Sequence, residues 1–134
     1  MNVPNNELLA SFRSSGPCEC CGRQCSMRAA HHIFPRGSGR VDWGPNLIAL
    51  GWDYPGCICH VGHHYSGKPT KAEFLAITSK REGWTVQFIE SVIMAVRACP
   101  WQATFEQAEN WLLSHFADKV VAEAAIAIVK RNYE

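Results

Sequence analysis

No stretch of this 134-residue chain approaches the roughly 20 consecutive apolar residues that a membrane-spanning helix needs. The opening "MNVPNNELLASF" has neither the basic nor the apolar region of a signal peptide. Together these absences predict an intracellular protein with no membrane partner. Neither charge sign dominates, because 13 Lys/Arg stand against 12 Asp/Glu. There is no internal repeat and no low-complexity tract. Nor do the cysteines suit a disulfide framework: there are seven, an odd number, and four crowd into "CECCGRQC".

What is present describes a folded chain, with 47% hydrophobic and 19% charged residues. The length suits one domain or two small lobes. Residues 1–83 carry nine Lys/Arg against six Asp/Glu, and residues 84–134 carry four against six. A nucleic-acid-binding surface therefore belongs to the first part.

Clustered thiols in a reducing compartment are metal ligands more often than bridges. "CECCG" reads as a zinc knuckle, with Cys18 and Cys21 at C-x-x-C spacing. The remaining two ligands should come from "GCICH", where Cys57 and Cys59 are candidates and His60 is a substitute. Cys20 and Cys25 are possible replacements in the first half.

Five of the six histidines lie between positions 31 and 64, too many for one structural zinc to absorb. Each ring brings two nitrogens that need partners. His60 and His64, four apart, project from one face of a helix and can share a metal. His31 and His32, adjacent on a strand, point to opposite faces, so one can hold a metal while the other takes a proton.

Around these residues the chain predicts a short leading helix in "NNELLASFR", a strand in "RAAHHIFP", a Gly-rich loop and a second strand in "NLIAL". The two strands form a distorted antiparallel pair. A short helix closes at Gly67. Another begins at Thr70, with capping-box spacing to Glu73, and runs to Gly83. Residues 85–98, 101–115 and 117–132 have helical periodicity, with faces of Phe88, Val92 and Ala95, of Phe105, Ala108 and Trp111, and of Val120, Ala124 and Ile128.

The order "HHIFPRG…NLIAL…CH…H" beside a C-x-x-C resembles the HNH endonucleases, the ββα-metal fold, in a phage- or prophage-like form with a cysteine zinc site. The resemblance covers roughly residues 18–75. It implies an α+β protein: a small zinc-stabilised nuclease domain over 1–83 and a C-terminal helical segment over 84–134. That segment would pack on the nuclease, mediate self-association or bind a protein partner. The resemblance also implies a DNA endonuclease, a hydrolase of phosphodiester bonds, in the cytoplasm of a bacterium or a phage-infected cell. By its pattern His31, His60 and His64 hold the catalytic divalent metal (Mg²⁺, Mn²⁺, Ni²⁺ or Zn²⁺), His32 is the general base and Asn46 corresponds to the family's Asn. Related sequences often place a cysteine where Gly51 stands here, so the third zinc ligand must come later, from Cys57. His63 could replace His64, or His60 and His63 could take zinc and leave His64 on the catalytic metal.

The chemistry agrees with these roles. Phosphodiester hydrolysis needs a nucleophilic water, charge stabilisation at phosphorus and help for the leaving 3′-oxygen. A neutral imidazole, with an ordinary pKa of about 6.5, is a suitable base. The side-chain carbonyl of Asn46 would accept the other ring N–H of His32 and fix its tautomer. Arg36, Arg40 and Lys68, with Lys71, are candidate phosphate contacts. The rival function is a zinc-stabilised nucleic-acid-binding or protein-interaction module without catalysis. A further rival places every Cys and His on two structural zincs.

Overall fold

The computed structural model describes residues 1–134 apart from Tyr54. The architecture is mixed α and β, with six α-helices and two small antiparallel strand pairs among the described residues. No helix is long and apolar enough to cross a membrane. The chain divides into two compact units: residues 5–33 with 42–84, and residues 1–4 with 34–41 and 85–134.

The first unit opens with helix α1 (Asn6–Arg13), capped by the Asn5 side chain, which accepts from the Leu8 amide. Strands β1 (Gly16–Pro17) and β2 (Gln24–Cys25) pair antiparallel around the cysteine knuckle. Strands β3 (Arg28–His32) and β4 (Leu47–Gly51) form the expected antiparallel pair, in a register that sets His31 opposite Ile48 and His32 opposite Leu47. All five residues of β4 are buried, so it reads as a continuous apolar run without alternation. Helix α2 (Cys59–Ser66) ends at Gly67, whose φ of 74° suits a residue without Cβ. Helix α3 (Lys71–Glu82) starts at Thr70, whose hydroxyl accepts from the Glu73 amide. Its Phe74 and Leu75 join Leu9, Ile33, Leu47, Ile48 and Leu50 as the buried apolar residues of this unit.

Arg81 clamps the lower edge of this unit. Its guanidinium donates to the Glu19 carboxylate at 2.6 Å and to the carbonyls of Gly44 and Leu47. Glu19 in turn accepts from the Ala49 amide.

Helices α4 (Val86–Ala98), α5 (Phe105–His115) and α6 (Lys119–Val129) build the second unit, each with a side-chain N-cap from Thr85, Thr104 or Asp118. Of the predicted faces, Val92 and Ala95 on α4, Ala108 on α5 and Ile128 on α6 are buried, while Phe88, Phe105, Trp111, Val120 and Ala124 are not. On α4 the buried face is Ile89, Val92, Ile93, Ala95 and Val96, and on α6 it is Val121, Ala122, Ala125, Ile128 and Val129. Val120 is 58% exposed. A window rich in Val, Ala and Ile on several faces cannot identify the buried stripe by apolarity alone.

Residues 1–4 and 34–41, expected in a first domain over 1–83, instead belong with these helices. The reason is a set of contacts distant in sequence. Val3 bridges Val41, and the Arg97 guanidinium donates to the carbonyls of Gly39 and Pro35 and lies over the Phe34 ring. Replacing Arg97 with Ala should therefore lower stability by about 1.5–3 kcal/mol, the range for hydrogen bonds involving a charged group. Urea denaturation checks this, and an unchanged midpoint would show that the 34–41 segment is held by other contacts.

Candidate metal centres

Two groups of ligand atoms converge in the first unit. The sulfurs of Cys18, Cys21, Cys57 and Cys59 all lie within 4.8 Å of one another. Cys21 and Cys57 Sγ are 3.7 Å apart, close to the spacing of about 3.8 Å expected for thiolates at about 2.3 Å from one tetrahedral ion. The turn that presents the first pair is local: the Gly22 amide donates to the Cys18 carbonyl, and the Cys18 amide donates to the Arg23 carbonyl. Gly22 takes a φ of 77°. The second pair follows a turn in which the Cys57 amide donates to the Asp53 carbonyl. Asp53 also holds the Ser26 amide and hydroxyl.

Electrostatics separates these thiols. Burial pushes Cys18 up, but the amides of Cys21, Gly51 and Cys20 and the Cys57 side chain outweigh it and bring Cys18 down to about 7. Burial pushes Cys57 up to about 12, and burial with the Cys18 charge pushes Cys59 up as well. One thiolate forms readily here, and it makes the next ones costly. A divalent cation removes that conflict, because each thiolate then meets a positive charge.

Gly51 has a steric role in this cluster. A Cβ built on it would meet the Cys25 sulfur and would stand 2.7 Å from Cys57 Sγ. The Cys57 sulfur thus crowds the space that a side chain at position 51 would need. Cys25 is buried and directs its thiol to the Arg23 carbonyl, while burial pushes the Cys20 thiol up. Both lie outside the four-sulfur set.

The second group joins strand to helix. Nitrogens of His31 on β3 and of His60 and His64 on α2 lie within 4.8 Å of one another. His60 Nε2 and His64 Nε2 are 3.0 Å apart. Two nitrogens about 2.1 Å from one ion stand about 3.0 Å apart at a right angle and about 3.4 Å apart at a tetrahedral angle. His60 Nδ1 is buried with no hydrogen-bond partner, an unusual condition for a polar atom. Burial, then the neighbouring imidazoles, lower His31 to about 3 and His60 to about 4. Both rings are therefore neutral at pH 7, the state a cation requires. The donor set fits a divalent ion.

His63 lies outside this set but beside it. Its Nδ1 is 2.6 Å from the Pro69 carbonyl, and its ring meets His31 edge-on with centroids 4.9 Å apart. Trp52 sets its ring against His60 at 4.4 Å and is 47% exposed.

His32 has a partner that the sequence did not suggest. Its Nε2 is 2.6 Å from Asp42 Oδ1, with side chains 8% and 0% exposed. Asp42 Oδ2 also accepts from the Asn5 amide at the start of α1. The signal for Asp42 was a carboxylate between Val41 and Trp43, an acid in apolar surroundings. Asn46 is fully buried in the turn before β4, and its backbone carbonyl accepts from the Ile33 amide. Lys68 is exposed in the unit that carries the histidines, whereas Arg36 and Arg40 lie in the helical unit. No protein-family model, curated protein or solved structure matches this chain, so the likeness to the HNH endonucleases rests on its motif residues.

The cysteine cluster should retain a thiophilic divalent metal through mild chelation. Cys18→Ser and Gly51→Ala should each lose it and unfold at lower temperature, because binding energy at such a site is folding energy. Elemental analysis and thermal unfolding read both effects, and a metal-free Cys18→Ser of unchanged stability would overturn the role. Without a cation on the histidines, the unfolded chain takes protons on them that the folded state refuses. Full stability is then present above about 6.5 and declines as pH falls from about 6.5 towards about 3, the window between unfolded and folded values for His31. Urea midpoints at pH 7 and pH 5 should show this decline, and it should shrink in a His31→Leu variant.

Proposed function

We propose that the unit of residues 5–33 and 42–84 is a metal-dependent endonuclease of the HNH kind, hydrolysing DNA phosphodiester bonds. The observation that carries this reading is the convergence of His31, from an antiparallel strand pair, with His60 and His64, from the helix that follows. A strand pair followed by a helix, with ligands on both, matches the ββα-metal arrangement in chain order. Zinc on Cys18, Cys21, Cys57 and Cys59 is the structural metal. A second divalent ion on the histidines would, when bound, stabilise charge on the phosphoryl and leaving oxygens.

The chain's own groups do the rest. Imidazole ligands carry no negative charge, so His31, His60 and His64 would leave a cation's charge directed at the phosphate. Lys68 is exposed beyond α2 and suits a phosphate contact. A water oxygen attacks phosphorus, the bond from phosphorus to the 3′-oxygen breaks, and one water proton passes to an imidazole. Two rings can receive it: His32, paired with Asp42, and His63, paired with Pro69. Asn46, buried in the turn before β4, would orient His32 by accepting a ring N–H on its side-chain carbonyl.

The burial of His32 against Asp42 is one feature that favours the second reading, a zinc-stabilised nucleic-acid-binding module without catalysis. Supercoiled plasmid separates the two readings. The nuclease should nick it with added Mg²⁺, Mn²⁺ or Ni²⁺ and stop with chelator, and His60→Ala should need far more metal for the same rate. Binding without nicking under every metal would establish the module instead.

A further inference from the structure

We propose that a cleft on the reverse side of the strand pair holds one nucleotide of single-stranded DNA, with its phosphodiester on Arg28. The choice of DNA rests on the nuclease reading above, but the cleft itself does not. Its volume is about 390 Å³, and Ser11 and Phe12 of α1, Glu19, Arg28, Ala49 and Arg81 line it. Side chains alternate between the faces of a strand, and His31 meets the α2 histidines. Arg28 and Ala30 therefore face the other way, and Ala30 stands opposite Ala49. Two methyl groups at this point leave room above the strands.

Arg28 is the unmatched charge in this cleft. Its guanidinium donates to the carbonyls of Ser14 and Pro17 and to the Ser14 hydroxyl, at 2.7 to 3.2 Å. A Cβ on Gly16 would stand 3.0 Å from its central carbon, so the group is closely seated. Of its five N–H donors, these three bonds leave two for a ligand. All three acceptors are neutral, and among the described residues no carboxylate pairs with Arg28. Arg81, by contrast, is paired with both Glu19 and Glu82, at 2.6 and 3.0 Å.

This lining selects the ligand. One unmatched cation suits a group with a single negative charge, which a phosphodiester carries. A terminal phosphate monoester, at about −1.5 to −2 near pH 7, would be repelled more strongly by Glu19. Glu19 accepts from the Ala49 amide and from Arg81, and the Ser11 hydroxyl donates to the Leu8 carbonyl, so oxygens of both keep lone pairs for a base amino group. Phe12 and Ala49 offer apolar contact to the sugar or the base. A duplex can present a phosphate here but keeps its bases paired and stacked, so an unpaired strand fits better.

Calorimetry of the zinc-loaded protein with oligo(dC), without other metals, tests this. Arg28→Gln should bind about 10–100-fold more weakly, the range for losing a charged hydrogen-bonding partner. It should also flatten the slope of log affinity against log salt by about 0.7, the share of one phosphate contact on a single strand. A purely structural arginine would not move that slope. Ser11→Glu, at an exposed position of α1, keeps the test intact if Arg28→Gln fails to fold: a like charge at the mouth should weaken binding about tenfold. Both variants binding oligo(dC) like the wild type, or a wild type preferring a peptide with a free C-terminal carboxylate, overturns the assignment. An equal loss for duplex and single strand overturns the preference for unpaired DNA. Plasmid nicking is read separately. A wild type that nicks while its variants bind normally loses the cleft and keeps the nuclease, and one inert with every metal, whose variants still lose oligo(dC), keeps the cleft alone.

Discussion

The four-sulfur cluster is the constraint on which the rest of the first unit depends. Cys18 and Cys21 precede the strand pair, and Cys57 and Cys59 follow it, so the cluster ties the two ends of that segment together. Helix α2 begins at Cys59 without a side-chain cap at Ile58, although the first amides of a helix ordinarily need one. What holds the start of α2 is the sulfur at its first residue and the one two residues earlier. His60 is the next residue, and His64 is one turn further on. The placement of the histidine nitrogens therefore inherits whatever order the sulfurs have. With only thiols, that order is contested, because the Cys18 charge raises the cost of ionising Cys59.

The site's neighbours are chosen for compactness around this framework. Gly51 ends β4 where any side chain would strike the Cys57 sulfur. Gly62 lies on α2 where a Cβ would stand 2.7 Å from the Lys68 carbonyl. The chain thus passes close to α2 on its way to Pro69, which brings the Pro69 carbonyl within reach of His63. Gly62 on α2 and Gly51 at the end of β4 let backbone and sulfur pack closely around the helix that carries the ligands.

Much of this could be read from the sequence, and what could be read was local. C-x-x-C spacing, an i, i+4 histidine pair, a Thr cap and a closing Gly each express geometry within one turn. The strand pair was also legible, because β-rich runs flanked a Gly-rich loop. Contacts between distant segments were not. The link from His32 to Asp42 needs the loop to fold back, and the tie from Pro69 to His63 needs a turn that no periodicity describes. Residues 34–41 resemble a loop of the strand pair in sequence, but Arg97, far along the chain, holds them among the helices. Helices α4 and α6 were legible, and so were Val92, Ala95 and Ile128 in their buried stripes, but Phe88, Val120 and Ala124 could not be separated from them, because Val, Ile and Ala occur on nearly every face.

The two candidate centres differ in the charge they would leave on the same ion, and that difference assigns their work. Four thiolates outweigh a dication, so the cysteine site would be closed and anionic, suited to holding structure and repelling phosphate. Three neutral imidazoles leave the charge of a dication intact and leave coordination positions open. Burial keeps His31 and His60 neutral, the state in which an imidazole can accept a cation. In the proposed reading these opposite donor sets, joined by the single step from Cys59 to His60, put a rigid anionic anchor at the start of α2 and an open cationic site along it. In that reading a phosphodiester would be drawn to the second and not the first.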